Sequence, residues 1–240
     1  MPFTNVLCCC FRSSENTLQP NEEVSNERQP LLQGQPQSAR QSRPAHNDAS
    51  QRSGRFIARH VGIPELDQRF EDVAEMFNLQ QGHHEAMREC LSTLRDRYHC
   101  SHGDGLSECL KRIKEEHGTH QITFHMKGYD FSLAVVPNDE VPTKLCSSQD
   151  RIRGLCQACK AIVAAGTKLQ EMIGWLTKAE ERLANQVLEV APAYQEQRRL
   201  EDNLRENLQE CHRARELSSA YREEAGKLLN EAALLSGVNP

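Results

Sequence analysis

The amino-acid sequence predicts a mainly α-helical protein: a disordered, lipid-anchored tail, a small helical bundle with a β-hairpin, then two long amphipathic helices. Three observations point there. A mean hydropathy of −0.69, with 38% hydrophobic residues among 240, leaves too little apolar surface for one packed core spanning the whole chain. After Pro64 the apolar residues recur at steps of three and four, the period of a helix stripe. Between Ile122 and Val135 the period switches to two, which marks strands. Together these divide the chain into a tail over 1–54, a bundle over 55–140 and long helices over 145–236.

The tail begins with Cys8, Cys9 and Cys10 in a row, beside Val6, Leu7 and Phe11. Adjacent thiols in a short apolar patch suit S-acylation. Each buried methylene contributes roughly 0.8 kcal/mol and a single chain binds reversibly, so two or three palmitoyl groups are what a stable anchor requires. Pro2 stands where N-myristoylation needs glycine, so that modification is not expected. Glu27 precedes Leu31 and Leu32 in the acidic dileucine pattern, which clathrin adaptors read as an extended peptide. Pro30 biases the segment toward that conformation. From Gln33 to Gly54 the chain is rich in Gln, Ser, Arg, Pro and Asn and reads as a tether, with Arg40, Arg43 and Arg52 suited to an anionic leaflet.

Cys9-Cys10-Phe11-Arg12-Ser13-Ser14-Glu15-Asn16, with Leu31-Leu32 downstream, resembles the start of the lipid-anchored subunit of the lysosomal Ragulator scaffold. That subunit also opens with cysteines, an aromatic, Ser-Ser-Glu-Asn and a leucine cluster. The resemblance implies a lipid-anchored protein on lysosomal membranes. The family's myristoylatable glycine is replaced by Pro2, which leaves palmitoylation at Cys8, Cys9 and Cys10 as the expected anchor.

In the middle segment, Pro64 is a favourable first helical residue. Leu66, Phe70, Val73 and Phe77 form one stripe, and Gln80-Gln81-Gly82 is expected to end it. A second stripe carries Met87, Leu91, Leu94 and Tyr98, and a third carries Leu106, Leu110 and Ile113, giving three short helices joined by glycine turns. Ile122, Phe124 and Met126, then Phe131, Leu133 and Val135, alternate about Lys127-Gly128 as a hairpin expected to pack on the helices. Histidines and cysteines gather here, among them His99-Cys100-Ser101-His102. They lack the paired spacings of a zinc site, so neither a metal nor any other cofactor is expected.

In the last segment, Ile152, Leu155, Cys159, Ile162, Gly166, Leu169, Ile173, Leu176, Glu180, Leu183, Val187 and Val190 step by three and four, a heptad seam. Its apolar members Ile152, Leu155, Ile162, Leu169, Ile173, Leu176, Leu183 and Val187 are the expected partner interface. Cys156-Gln157-Ala158-Cys159 has redox spacing but follows no strand, so it reads as helix packing. Pro192 interrupts the helix, and Leu200, Leu204, Leu208 and Cys211 resume it before an expected phase shift to Leu217, Tyr221, Leu228 and Leu235. Both an antiparallel hairpin and one kinked helix fit this pattern.

A net charge of −5 and a pI near 6.1 argue against nucleic-acid binding, and a single tryptophan with 5% aromatics argues against base stacking. The chain lacks a membrane-spanning run and a signal-peptide pattern, which sets its cysteines in a reducing compartment. No phosphate loop or nucleophile elbow points to an enzyme. The expectation is a peripheral adaptor on the cytosolic face of endosomes or lysosomes, recruiting proteins through its helices and clathrin adaptors through the dileucine motif. Golgi, plasma membrane and cytoplasm remain alternatives for location. The alternative function is a soluble coiled-coil subunit of a larger complex.

Overall fold

Three unbroken heptad stripes, one on each of three long helices, organise the computed structural model. The structure describes residues 54–136, 141–190 and 193–237. Helix α1 spans Pro64–Arg97, α2 Leu106–Glu116, strand β1 Gln121–Lys127, β2 Asp130–Val136, α3 Thr143–Lys178, α4 Glu180–Val190 and α5 Tyr194–Ser236. Among the described residues the fold is thus mainly helical, with one two-stranded antiparallel sheet. Cys8, Cys9, Cys10, Glu27, Leu31 and Leu32, and the tail through residue 53, lie outside the described residues.

Helix α1 begins at Pro64 with Glu65 and Asp67 in its first turn and ends with Arg95 and Arg97 in its last, charges that complement the helix dipole. It does not stop at Gly82, as the glycine suggested. The stripe Leu66, Phe70, Val73, Phe77 continues through Gln80 and His84 to Met87, Leu91, Leu94 and Tyr98 without a slip, and all ten are buried. A lone interior glycine costs about 1 kcal/mol relative to alanine, which the burial of this stripe outweighs. The middle segment therefore supplies two helices where three were expected.

Helix α3 presents Leu145, Ser148, Ile152, Leu155, Cys159, Ile162, Gly166, Leu169, Ile173 and Leu176 to the interior, and α4 extends the stripe with Leu183 and Val187. The helix expected to run through to Val190 breaks at Ala179, and nothing in the side chains there explains the break. Glu180 and Val190, counted on the seam by spacing, are exposed. Helix α5 keeps one phase throughout: Leu200, Leu204, Asn207, Cys211, Ala214, Ser218, Tyr221, Ala225, Leu228, Ala232 and Leu235 alternate by four and three. The expected phase shift is absent because small and polar residues hold the seam where large ones are missing. Gly237 closes α5 at φ 73°, the left-handed cap that glycine favours.

The directions follow from contacts. Gln80 meets Ile162 and Cys90 lies against Gly154, so α1 and α3 are antiparallel. Phe77 meets Arg213 and His84 meets Glu224, so α1 and α5 are parallel. It follows that α3 and α5 run in opposite senses, and Gln170, accepting from Arg222, shows them in contact, which selects the hairpin over the kinked helix.

Helix α2, with Leu106, Cys109, Leu110 and Ile113 buried, and two further elements cover this three-helix bundle. The segment from Gly54 to Ile63 lies between α1 and α5, with Phe56 and Val61 buried. Asn78 accepts from the Phe56 N–H at 2.8 Å and donates to its carbonyl at 2.9 Å, and Asn207 brackets Arg59 in the same way at 2.8 and 2.7 Å. Two amides thus satisfy an extended backbone that has no neighbouring strand. The hairpin packs on the bundle as expected. Lys127 pairs with Asp130 across a two-residue loop whose Gly128 has φ 61°, and Ile122, Phe124, Phe131, Leu133 and Val135 are buried on its inner face. Helix α3 caps the β2 edge: Cys156 Sγ accepts from Phe131 N–H at 3.2 Å and Gln149 donates to Leu133 O at 3.0 Å.

Candidate functional site

The eight residues expected to meet a partner, Ile152, Leu155, Ile162, Leu169, Ile173, Leu176, Leu183 and Val187, are each at most 2% exposed. The heptad signal is genuine, and α1 and α5 of the same chain answer it. The exposed side chains of any surface offered to another protein therefore come from off the seam.

The buried seam divides into two apolar cores. One gathers Met87, Leu94, Phe124, Leu155 and Ala225, and the other gathers Phe70, Phe77, Leu169, Leu183 and Leu204. Between them lies a polar layer. Gln80, fully buried, donates to Ile162 O at 3.0 Å, and its Oε1 has no partner among the described residues. Gly166 faces it, where a Cβ would come within 2.6 Å of Gln80 Nε2 and 2.5 Å of Arg222 Cδ. His84 Nε2 meets Glu224 Oε2 at 2.7 Å while its ring stacks on Tyr221 at 4.0 Å. A layer that must match Gln80 to Gly166 and His84 to Glu224 penalises any slip of one helix along another.

The histidines and cysteines do not converge. Among the described residues no group of three or more His, Cys, Asp or Glu could hold a metal. His117 and Tyr98 belong to a structural relay: His117 Nε2 lies 3.2 Å from Tyr98 Oη, which lies 2.8 Å from Ser148 Oγ, which donates to Lys144 O at 2.8 Å. Burial holds His117 below its ordinary value, so the ring is neutral at pH 7. His99 has φ 54°, in the turn that follows α1.

Burial also sets the thiol chemistry. Cys159 and Cys211 are pushed up to about 12, and Cys109, packed beside Cys100, likewise to about 12. Burial raises Cys156 as well, with the Phe131 N–H acting in the opposite direction. The Cys156–Cys159 pair therefore stays protonated at neutral pH, where nucleophilic redox chemistry needs a thiolate.

One surface stands apart. Between α1 and α3, where the bundle bears neither the extended segment nor the hairpin, Val73, Met76, Leu79, Met172, Trp175 and Leu176 line a groove of about 470 Å3. Leu79 is 53% and Trp175 40% exposed, large apolar side chains that a fold normally covers. Arg69 sits 4.1 Å from the Trp175 ring centre and Arg182 5.7 Å, so cations flank the indole at one end of the groove. Sequence reasoning missed this groove. Its signal is a second apolar stripe, Met76 and Leu79 on α1 and Met172 and Trp175 on α3, set one position off the seam. Comparison with family models, with curated proteins and with solved structures finds no match to this chain.

Proposed function

We propose that this protein is a non-enzymatic peripheral membrane adaptor, S-palmitoylated at Cys8, Cys9 and Cys10, that carries its three-helix body on the cytosolic face of endosomal or lysosomal membranes. The observation that carries the reading is the row of three thiols beside Val6, Leu7 and Phe11, separated from the helical body by a polar stretch with Arg40, Arg43 and Arg52. Several acyl chains supply the apolar area for lasting attachment, and the arginines add attraction to anionic lipid. Glu27, Leu31 and Leu32 supply the address, read by clathrin adaptors. The likeness of residues 9–16 to the opening of the Ragulator anchor subunit supports the same location.

A body whose heptad seam is consumed internally supports an adaptor that folds first and binds with its outer surface. The test replaces Cys8, Cys9 and Cys10 together by serine and fractionates cells. Loss of membrane association and of hydroxylamine-labile lipid is expected. Retention at the wild-type level overturns the anchor, and a wild-type protein without labile lipid favours the soluble coiled-coil subunit. Leu31→Ala with Leu32→Ala is expected to move the protein between membranes without releasing it, and an unchanged distribution removes the address.

A further inference from the structure

The groove between α1 and α3 is the part of the bundle surface with the shape and chemistry of a fourth-helix slot. From Arg69 to Leu79 it runs ten residues along α1, about 15 Å at 1.5 Å per residue, the length of nearly three helical turns. Its floor is flexible and apolar, with Met76 and Met172 beside Leu79 and Trp175. Methionine-rich floors adapt to the knobs of an incoming helix.

The walls carry opposite charge. Asp72 and Glu75 line the α1 side and Lys168 the α3 side, and among the described residues neither Glu75 nor Lys168 has an ion-pair partner. At the indole end, Arg69 and Arg182 flank Trp175. An anionic or cationic surface alone would not be read with such a pattern. A helix laid in the groove meets acids along one flank, a lysine along the other and the Arg69 guanidinium at one end.

We propose that this groove docks an amphipathic helix of a partner protein. That helix carries an apolar stripe at spacings of three and four, lysine or arginine on the flank facing Asp72 and Glu75, and glutamate or aspartate on the flank facing Lys168 and over Arg69. The inference deepens the adaptor reading by naming its partner surface, and it rests on that reading only for there being a partner. The membrane anchor plays no part in it.

Trp175 is the one tryptophan in the chain, so its emission reports the groove directly. Unacylated full-length protein is titrated with two stapled helical peptides free of tryptophan, sharing one leucine stripe but carrying their lysine and glutamate flanks in exchanged positions. The peptide with lysines toward α1 is expected to shift Trp175 emission to the blue and to bind about tenfold more tightly than its exchanged partner. The exposed double variant Glu75→Lys with Lys168→Glu is expected to reverse that preference. Equal affinities, no emission shift with either peptide, or a preference unchanged in the double variant each overturn the proposal. So does a blue shift on concentrating the protein alone together with a dimer mass, which makes a second copy of the chain the occupant. None of these outcomes bears on acylation, which fractionation of the cysteine variant decides separately.

Discussion

Cys109, Cys159 and Cys211 show how burial alone sets the behaviour of a side chain. Each thiol is raised from 9.0 to about 12, chiefly because the interior disfavours a thiolate. A folded value above the unfolded one means that the unfolded chain releases its protons first. Their contribution to stability is therefore complete below pH 9 and drains away as pH rises from 9 toward 12. Melting temperature measured at constant ionic strength is expected to fall across that window. Cys211→Ala costs about 1 kcal/mol at neutral pH but makes the alkaline decline shallower. A wild-type profile that is flat from pH 8 to pH 11 would contradict this account of the buried thiols. At this scale, sequence reasoning placed Cys156 and Cys159 in helix packing, and both are buried. It could not see Trp175 as an exposed groove residue, because exposure depends on α1 and α3, distant in sequence, lying side by side.

Glycine separates the elements by what surrounds it. Gly82 lies inside α1 with open space around a would-be Cβ, so Gly82→Ala is expected to raise stability by about 0.5–1 kcal/mol in urea unfolding. A loss there would mean that the helix needs the glycine. Gly166 has the opposite setting, since a Cβ would strike Gln80 Nε2 and Arg222. Arg222 can swing aside, but displacing buried Gln80 breaks its bond to Ile162 O, so Gly166→Ala is expected to cost about 1–3 kcal/mol by the same measurement. The elements that could be read from sequence were those with apolar residues on nearly every seam position, Gly166 being the one gap, or with clean alternation: α3 from Ile152 to Leu176, and the hairpin from Ile122 to Val135. The continuity of α1 and the single phase of α5 were hidden. Gln80, His84, Asn207, Ala214 and Ser218 hold seam positions there, and their burial is fixed by partners from other helices.

The folded part behaves as one body if the polar layer joins its two cores and as two if that layer parts them. Ile152 belongs to one core and Leu169 to the other, both fully buried. Ile152→Ala and Leu169→Ala are each expected to cost about 2–5 kcal/mol and to move the helical circular-dichroism transition and the Trp175 emission transition together. Transitions that separate in either variant would show two cooperative units meeting at Gln80. The order of elements along the chain also has a consequence in time. Helix α1 is made first, yet both helices that cover its seam come later, after α2 and the hairpin. At about 5–20 residues per second, the roughly 140 residues from Arg97 to Ser236 take about 7–28 s to synthesise. Until α3 is made, partway through that interval, Phe70, Phe77 and Leu94 lack both covering helices, and until α5 is complete their stripe stays half-covered, a sticky surface that a chaperone would recognise.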